Sequence, residues 1–210
     1  MFSSTSKKSS ASFGSSSGAK RNSYKPPQGT NKQYQAALKM MGVSSVDPND
    51  WRMQRTLQNY MKSFDADGDY IDPVTGISGM LATGIPVSER HQIIDVSESA
   101  RQAMFDETKR HFIEENGNLN GRTTKRSDMF QAYQRSVPKS DRLKGTWTLE
   151  QYERQYRSAL TEAVKAADPL WDYGKPFDKK VLDSVTRENV ESRLVSDGVN
   201  LSKKKVDFYA

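Results

Sequence analysis

Four aspartates, Asp65, Asp67, Asp69 and Asp72, fall within eight residues of one another. Calcium takes several hard oxygen ligands, and carboxylates at alternate positions of a tightly curled loop can aim at one centre. Asp65, Asp67 and Asp69 have that alternation, and Asp72 follows closely enough to join them. Carboxylates this close repel one another, so the spacing also predicts a counter-charge, either a bound cation or a Lys or Arg from elsewhere in the chain. Asp and Gly are equally ordinary turn residues. The segment 65–76 is therefore expected to be first a connector between helices and second a cation site.

The run Phe64-Asp65-Ala66-Asp67-Gly68-Asp69-Tyr70-Ile71-Asp72 resembles the start of the calcium loop of the EF-hand family. An amphipathic helix is expected to end at Phe64 and an apolar helical face to begin at Ile77, as in that family's helix–loop–helix. Two positions depart from the family pattern. Tyr70 stands where a glycine is the rule, and the closing glutamate is replaced by Thr75 or Gly76. A second loop, Asn116-Gly117-Asn118-Leu119-Asn120-Gly121, repeats the alternation with asparagines and closes at Ser127. The resemblance spans 51–135. It implies calcium as the one cofactor, held weakly, toward the ~10⁻⁴–10⁻³ M end of the range for such loops.

Other chemistry is sparse. With no cysteine, the chain has no disulfide, thiolate metal site or cysteine nucleophile. His91 and His111 lack ligand-spaced partners, and His111 is expected at the surface or half-buried on its helix. No P-loop, dinucleotide fingerprint or G-x-S-x-G occurs. Glu114 and Glu115, adjacent on a helix, point about 100° apart and form no carboxylate dyad. A non-enzymatic protein is expected.

Charge is distributed unevenly. No acidic residue precedes Asp47, whereas Lys7, Lys8, Lys20, Arg21, Lys25 and Lys32 all do, and nine of the first seventeen residues are serine. The net charge of +6 belongs to this stretch. Such composition buries too little apolar surface to offset the entropy of ordering, so residues 1–32 read as a disordered basic arm suited to a polyanion such as nucleic acid. A Ser-rich, acid-free N-terminus also matches an organelle-targeting peptide; an intact arm is the preferred reading. A second binding candidate is the kinked aromatic loop bearing Trp171, Tyr173 and Phe177. These rings suit a partner pocket, or alternatively the plugged end of a helical core.

The elements that must position these groups are helical. Apolar residues recur at helical spacing in 32–41 (stopped by Gly42), 51–64, a short piece at 77–81, 97–115 with Ser97 as N-cap, and a helix capped by Ser127 that stops before Pro138. Thr148 and Gln151 read as a capping box starting a further helix to Asp168-Pro169. Short helical patterns follow at 181–185 and 190–195, and strand-like alternation is nearly absent. The expected fold is mainly α: an irregular multi-helix body over 33–200, with a basic tail at 201–210. No run approaches the length of a membrane span. The leading functional expectation is a structural or assembly protein, intracellular or virion-associated. Its helices would pack against subunits of a larger complex and its tails would thread along neighbours or an anionic polymer. A calcium-binding module and a nucleic-acid-binding protein are the alternatives.

Overall fold

A computed structural model of the chain describes residues 28–119 and 121–204. The architecture is mainly α: seven α-helices and one two-stranded sheet among the described residues. No helix there is long and apolar enough to cross a membrane.

The first two helices build a small unit of their own. Helix α1 (Asn31–Met41) starts with a capping box, in which the Thr30 hydroxyl accepts from the Gln33 amide and the Gln33 side chain reaches back to the Thr30 amide. It stops at Gly42, whose φ of 72° lets its amide reach the carbonyls of Leu38 and Lys39. Thr30 to Lys32, the last residues of the stretch read as an arm, thus belong to the start of this helix. Helix α2 (Trp51–Met61) is capped by Asp50, whose carboxylate accepts from the Arg52 and Met53 amides. Ala37, Leu38, Val46, Leu57, Met61 and Phe64 form the core between them.

The larger unit is built on α4 (Glu98–Glu114), α5 (Arg126–Ser136) and α6 (Lys139–Ala167). Ser97 caps α4 as expected, its hydroxyl accepting from the Ala100 amide. Met104, Phe105 and Phe112 of α4 meet Tyr156, Leu160 and Val164 of α6, with Phe130 and Tyr133 of α5 on the flank. Trp171, Leu182, Val185 and Val190 close the far end of that core. The short helices α3 (Val87–Arg90) and α7 (Arg187–Glu191) and the hairpin β1 (Leu194–Ser196)–β2 (Leu201–Lys203) complete the unit. In the hairpin Val195 lies opposite Ser202.

Several expectations are corrected. No helix forms at 77–81. Phe64 and Tyr70, then Ile71 and Ser78, pair instead as isolated antiparallel bridges. Gly76, Gly79 and Gly84 sit at φ of 70°, 74° and 82°, a region that interrupts helix. The helix–loop–helix frame is therefore absent around the aspartates. Thr148 starts no helix, because it lies inside α6. Its buried hydroxyl donates to the Lys144 carbonyl and accepts from the Ile94 amide at 3.1 Å, which a cap to the solvent could not do. Helix α5 begins at Arg126, without a side-chain cap. The pattern at 181–185 is a 3-10 turn, Lys179–Leu182. The pattern at 190–195 splits into the end of α7 and strand β1, and the expected tail begins as strand β2, with Leu201 buried.

Candidate functional site

The aspartate loop follows α2 and is wound by its own backbone. One oxygen of Asp65 (Oδ1) accepts from the amides of Asp67 and Asp69, both at 3.0 Å, and the Asp65 amide donates to the Asp69 carbonyl. Gly68, at φ 84°, makes the tight turn, and a Cβ there would stand 2.9 Å from the Lys32 carbonyl of α1. Only glycine serves both requirements. The Thr30 hydroxyl donates to the Ala66 carbonyl and the Gln33 amide group to that of Phe64, so the loop is tied to the first turn of α1.

This winding brings three of the four predicted carboxylates together. Asp65, Asp67 and Asp69 each offer an oxygen within 4.8 Å of the others. At their common point sits the ammonium of Lys139, the first residue of α6, at 2.8 Å from Asp65 Oδ2, 2.7 Å from Asp67 Oδ2 and 2.7 Å from Asp69 Oδ2. Lys32 lies 3.8 Å from Asp67 on the outside. Asp72 is not part of the cluster. Its Oδ1 accepts from the Val74 and Thr75 amides and from the Thr75 hydroxyl, making it a turn-former.

The electrostatics follow from this geometry. Partial burial pushes the Asp65 carboxyl upward, but hydrogen bonds from Lys139, Ser78 and the loop amides outweigh it and hold the group well below the usual carboxylate range. The Lys139 contact lowers Asp67 as well. Burial pushes the Lys139 ammonium down, and the three carboxylates overcome this and raise it above the ordinary lysine value. A cation at a helix N-terminus is unfavourable by itself, and the carboxylates around it reverse that.

Beside the cluster runs a cleft of about 900 Å³ between α1, the loop and the first turns of α6. Met40, Tyr70, Leu81, Ile85 and Leu143 supply apolar wall, Lys39, Arg90 and Lys144 basic groups, and Asp69 and Glu89 acidic ones. Met40 is 50% exposed and Leu81 54%. The loop is tethered to the larger unit at two further points, Arg135 donating to the Thr75 carbonyl at 2.9 Å and Arg142 to that of Ser78 at 2.7 Å.

The remaining predicted residues are placed elsewhere. Trp171 is buried, its ring against Phe112 and Phe177 and its indole N–H on the Lys175 carbonyl at 2.7 Å. Trp171 and the half-buried Phe177 therefore plug the core end, and Tyr173 of the three faces outward beside exposed Leu170. The asparagine loop docks on these aromatics: the Asn116 carbonyl accepts from the Gly174 amide, and Gly117 abuts Trp171 and Tyr173. Of the basic arm, Lys32 alone is described; Lys7, Lys8, Lys20, Arg21 and Lys25 lie outside the described residues.

His111 is fully buried, contrary to expectation, and its Nδ1 lies 2.7 Å from Arg157 Nη2. The ring is held in place by Arg157 and by the α4–α6 packing. Sequence reasoning also missed Lys139, which is seventy residues from the acids it joins. The one signal for it was the need of the acids for a counter-charge.

Comparison with curated proteins and with solved structures gives no match. A family model described as a domain of unknown function, DUF3879, matches residues 28–210, and the chain belongs to that family.

Proposed function

We propose that the protein is a non-enzymatic assembly subunit whose docking surface is the cleft between α1, the aspartate loop and α6. The observation that carries this reading is the composition of that cleft. Its apolar wall is half exposed and its charged rim is mostly basic. Small-molecule sites enclose most of their ligand, whereas an open apolar groove suits an amphipathic helix laid along it. The basic rim favours an acidic helix from a partner subunit. A photo-reactive amino acid placed at Met40 or Leu81, and at exposed Lys165 of α6 as control, tests the reading in cells of the source organism. Discrete adducts with one partner from the cleft positions alone are expected. Equal labelling from all three positions, or none, would sink it.

The second reading is cation binding, favoured by the convergence of Asp65, Asp67 and Asp69. An incoming calcium ion would have to replace the Lys139 ammonium, and the loop offers no closing glutamate, so binding no tighter than about 10⁻⁴ M is expected. Calorimetric titration of wild type and Asp67→Ala decides it. Submicromolar binding lost in the variant would make calcium sensing the lead function, and absence of heat in both would leave the loop as turn and ion pair. The polyanion reading rests on the arm, outside the described residues, and the described part of the chain adds Lys32 to it.

A further inference from the structure

The two apolar cores share no residue. Ala37, Leu38, Leu57 and Met61 belong to one, and the α4–α6 residues to the other. Neither α1 nor α2 packs extensively on α4, α5 or α6. Hydrogen bonds across the junction come from three cations of the α5–α6 corner: Lys139 on the aspartates, Arg135 on the Thr75 carbonyl and Arg142 on the Ser78 carbonyl. The intervening segment carries Gly76, Gly79 and Gly84, all at positive φ.

From this arrangement we infer that the α1–α2 unit is a hinged wall of the cleft, held in its place by an ionic latch in which Lys139 is the bolt and Asp65, Asp67 and Asp69 the seat. The inference stands apart from what occupies the cleft. A hydrophobic seam would hold the units together regardless of salt, but this junction depends on charge. The seat is partly exposed, so its attraction for the bolt is screened by salt. Three carboxylates against one ammonium also leave negative charge in excess, of which Lys32 offsets part. Without Lys139 the seat repels itself, and only the two arginine–carbonyl bonds at Thr75 and Ser78 and the dipole of α6 still draw the loop to that helix.

Because the chain has no cysteine, two can be introduced for spin labels, Gln35→Cys on α1 and Lys165→Cys on α6, both exposed. Electron–electron distance measurements on the full chain then read the position of the α1–α2 unit directly. Salt is raised from about 0.01 M to about 1 M, which shortens the screening length from roughly 30 Å to 3 Å. A single narrow distance is expected at low salt, and a broader, longer distribution at high salt. Lys139→Gln should give the open distribution already at low salt, and Lys139→Arg should recover the narrow one. The salt series on the unsubstituted latch keeps the test independent of whether Lys139→Gln folds. A distance that is the same at both salts would overturn the latch, as would a Lys139→Gln protein with unchanged helix content and an unchanged distance. Photo-adducts at Met40 bear on the occupant of the cleft and leave this measurement unaffected.

Discussion

At the scale of single residues, His111 shows how burial sets a pH dependence. Burial pushes its imidazole below the ordinary value and Arg157 adds to this, with Arg110 contributing in the same direction, while Glu107 and Glu115 pull the other way. The folded protein therefore holds His111 neutral to lower pH than the unfolded chain does. The stabilisation is complete above the unfolded value of about 6.5 and declines as pH falls below it, because the unfolded chain takes up the proton first. His111→Gln, which keeps an acceptor for Arg157, should flatten the change in urea midpoint between about pH 7 and pH 5. An identical slope in the variant would show that the histidine is not the titrating group. Asp65 and Glu107, both held below the ordinary carboxylate range, act in a separate and more acidic window. None of this was legible in the sequence, where His111 and its partner Arg157 are 46 positions apart.

At the scale of elements, the sequence marked helix ends well where a local hydrogen bond decides them. Ser97 and Gly42 behave as their residue types require. It failed where a distant neighbour decides. Thr148 and Gln151 carry the pattern of a capping box, yet the 93–94 segment lies against Thr148 and α6 runs on through it. Gly145, three residues before, sits mid-helix for a similar reason: a Cβ there would lie 1.7 Å from Tyr133 Oη and 2.3 Å from its Cζ. The glycine costs the helix ~1 kcal/mol in propensity, and the close packing of α5 on α6 offsets this. Gly145→Ala is expected to destabilise despite its better propensity, since overpacking a buried contact costs about 1–3 kcal/mol. Adding Tyr133→Phe should restore part of the loss and no more, because the ring carbon remains in the way. Thermal melts of both variants check this, and a higher melting temperature for Gly145→Ala would refute it. The missing helix at 77–81 has the same lesson: three apolar residues fit the helical period, but the glycines around them take turn conformations.

At the scale of the whole molecule, helical composition was readable from apolar spacing, and the division into two cores was not. Residues 33–200 read as one body because both units use the same amphipathic pattern, and nothing in that pattern says which face meets which. The acidic run was the one clue to the junction. Its alternation pointed to convergence and to a nearby counter-charge; Asp65, Asp67 and Asp69 do converge, without Asp72, and the Lys139 ammonium lies among them. The cation is supplied by α6, which turns a local motif into a joint between two units.

A lysine in that seat is a cation that cannot diffuse away. Tethered by its own backbone, its ammonium competes at an effective concentration on the order of millimolar or more, and its raised proton affinity keeps it charged wherever the protein is folded. Any soluble cation, whether potassium, magnesium or a polyamine, meets a seat already filled by an intramolecular rival. The background ions of a cell would thus pass it by, and admission would require either a far better oxygen-seeking ion or a prior movement of α6.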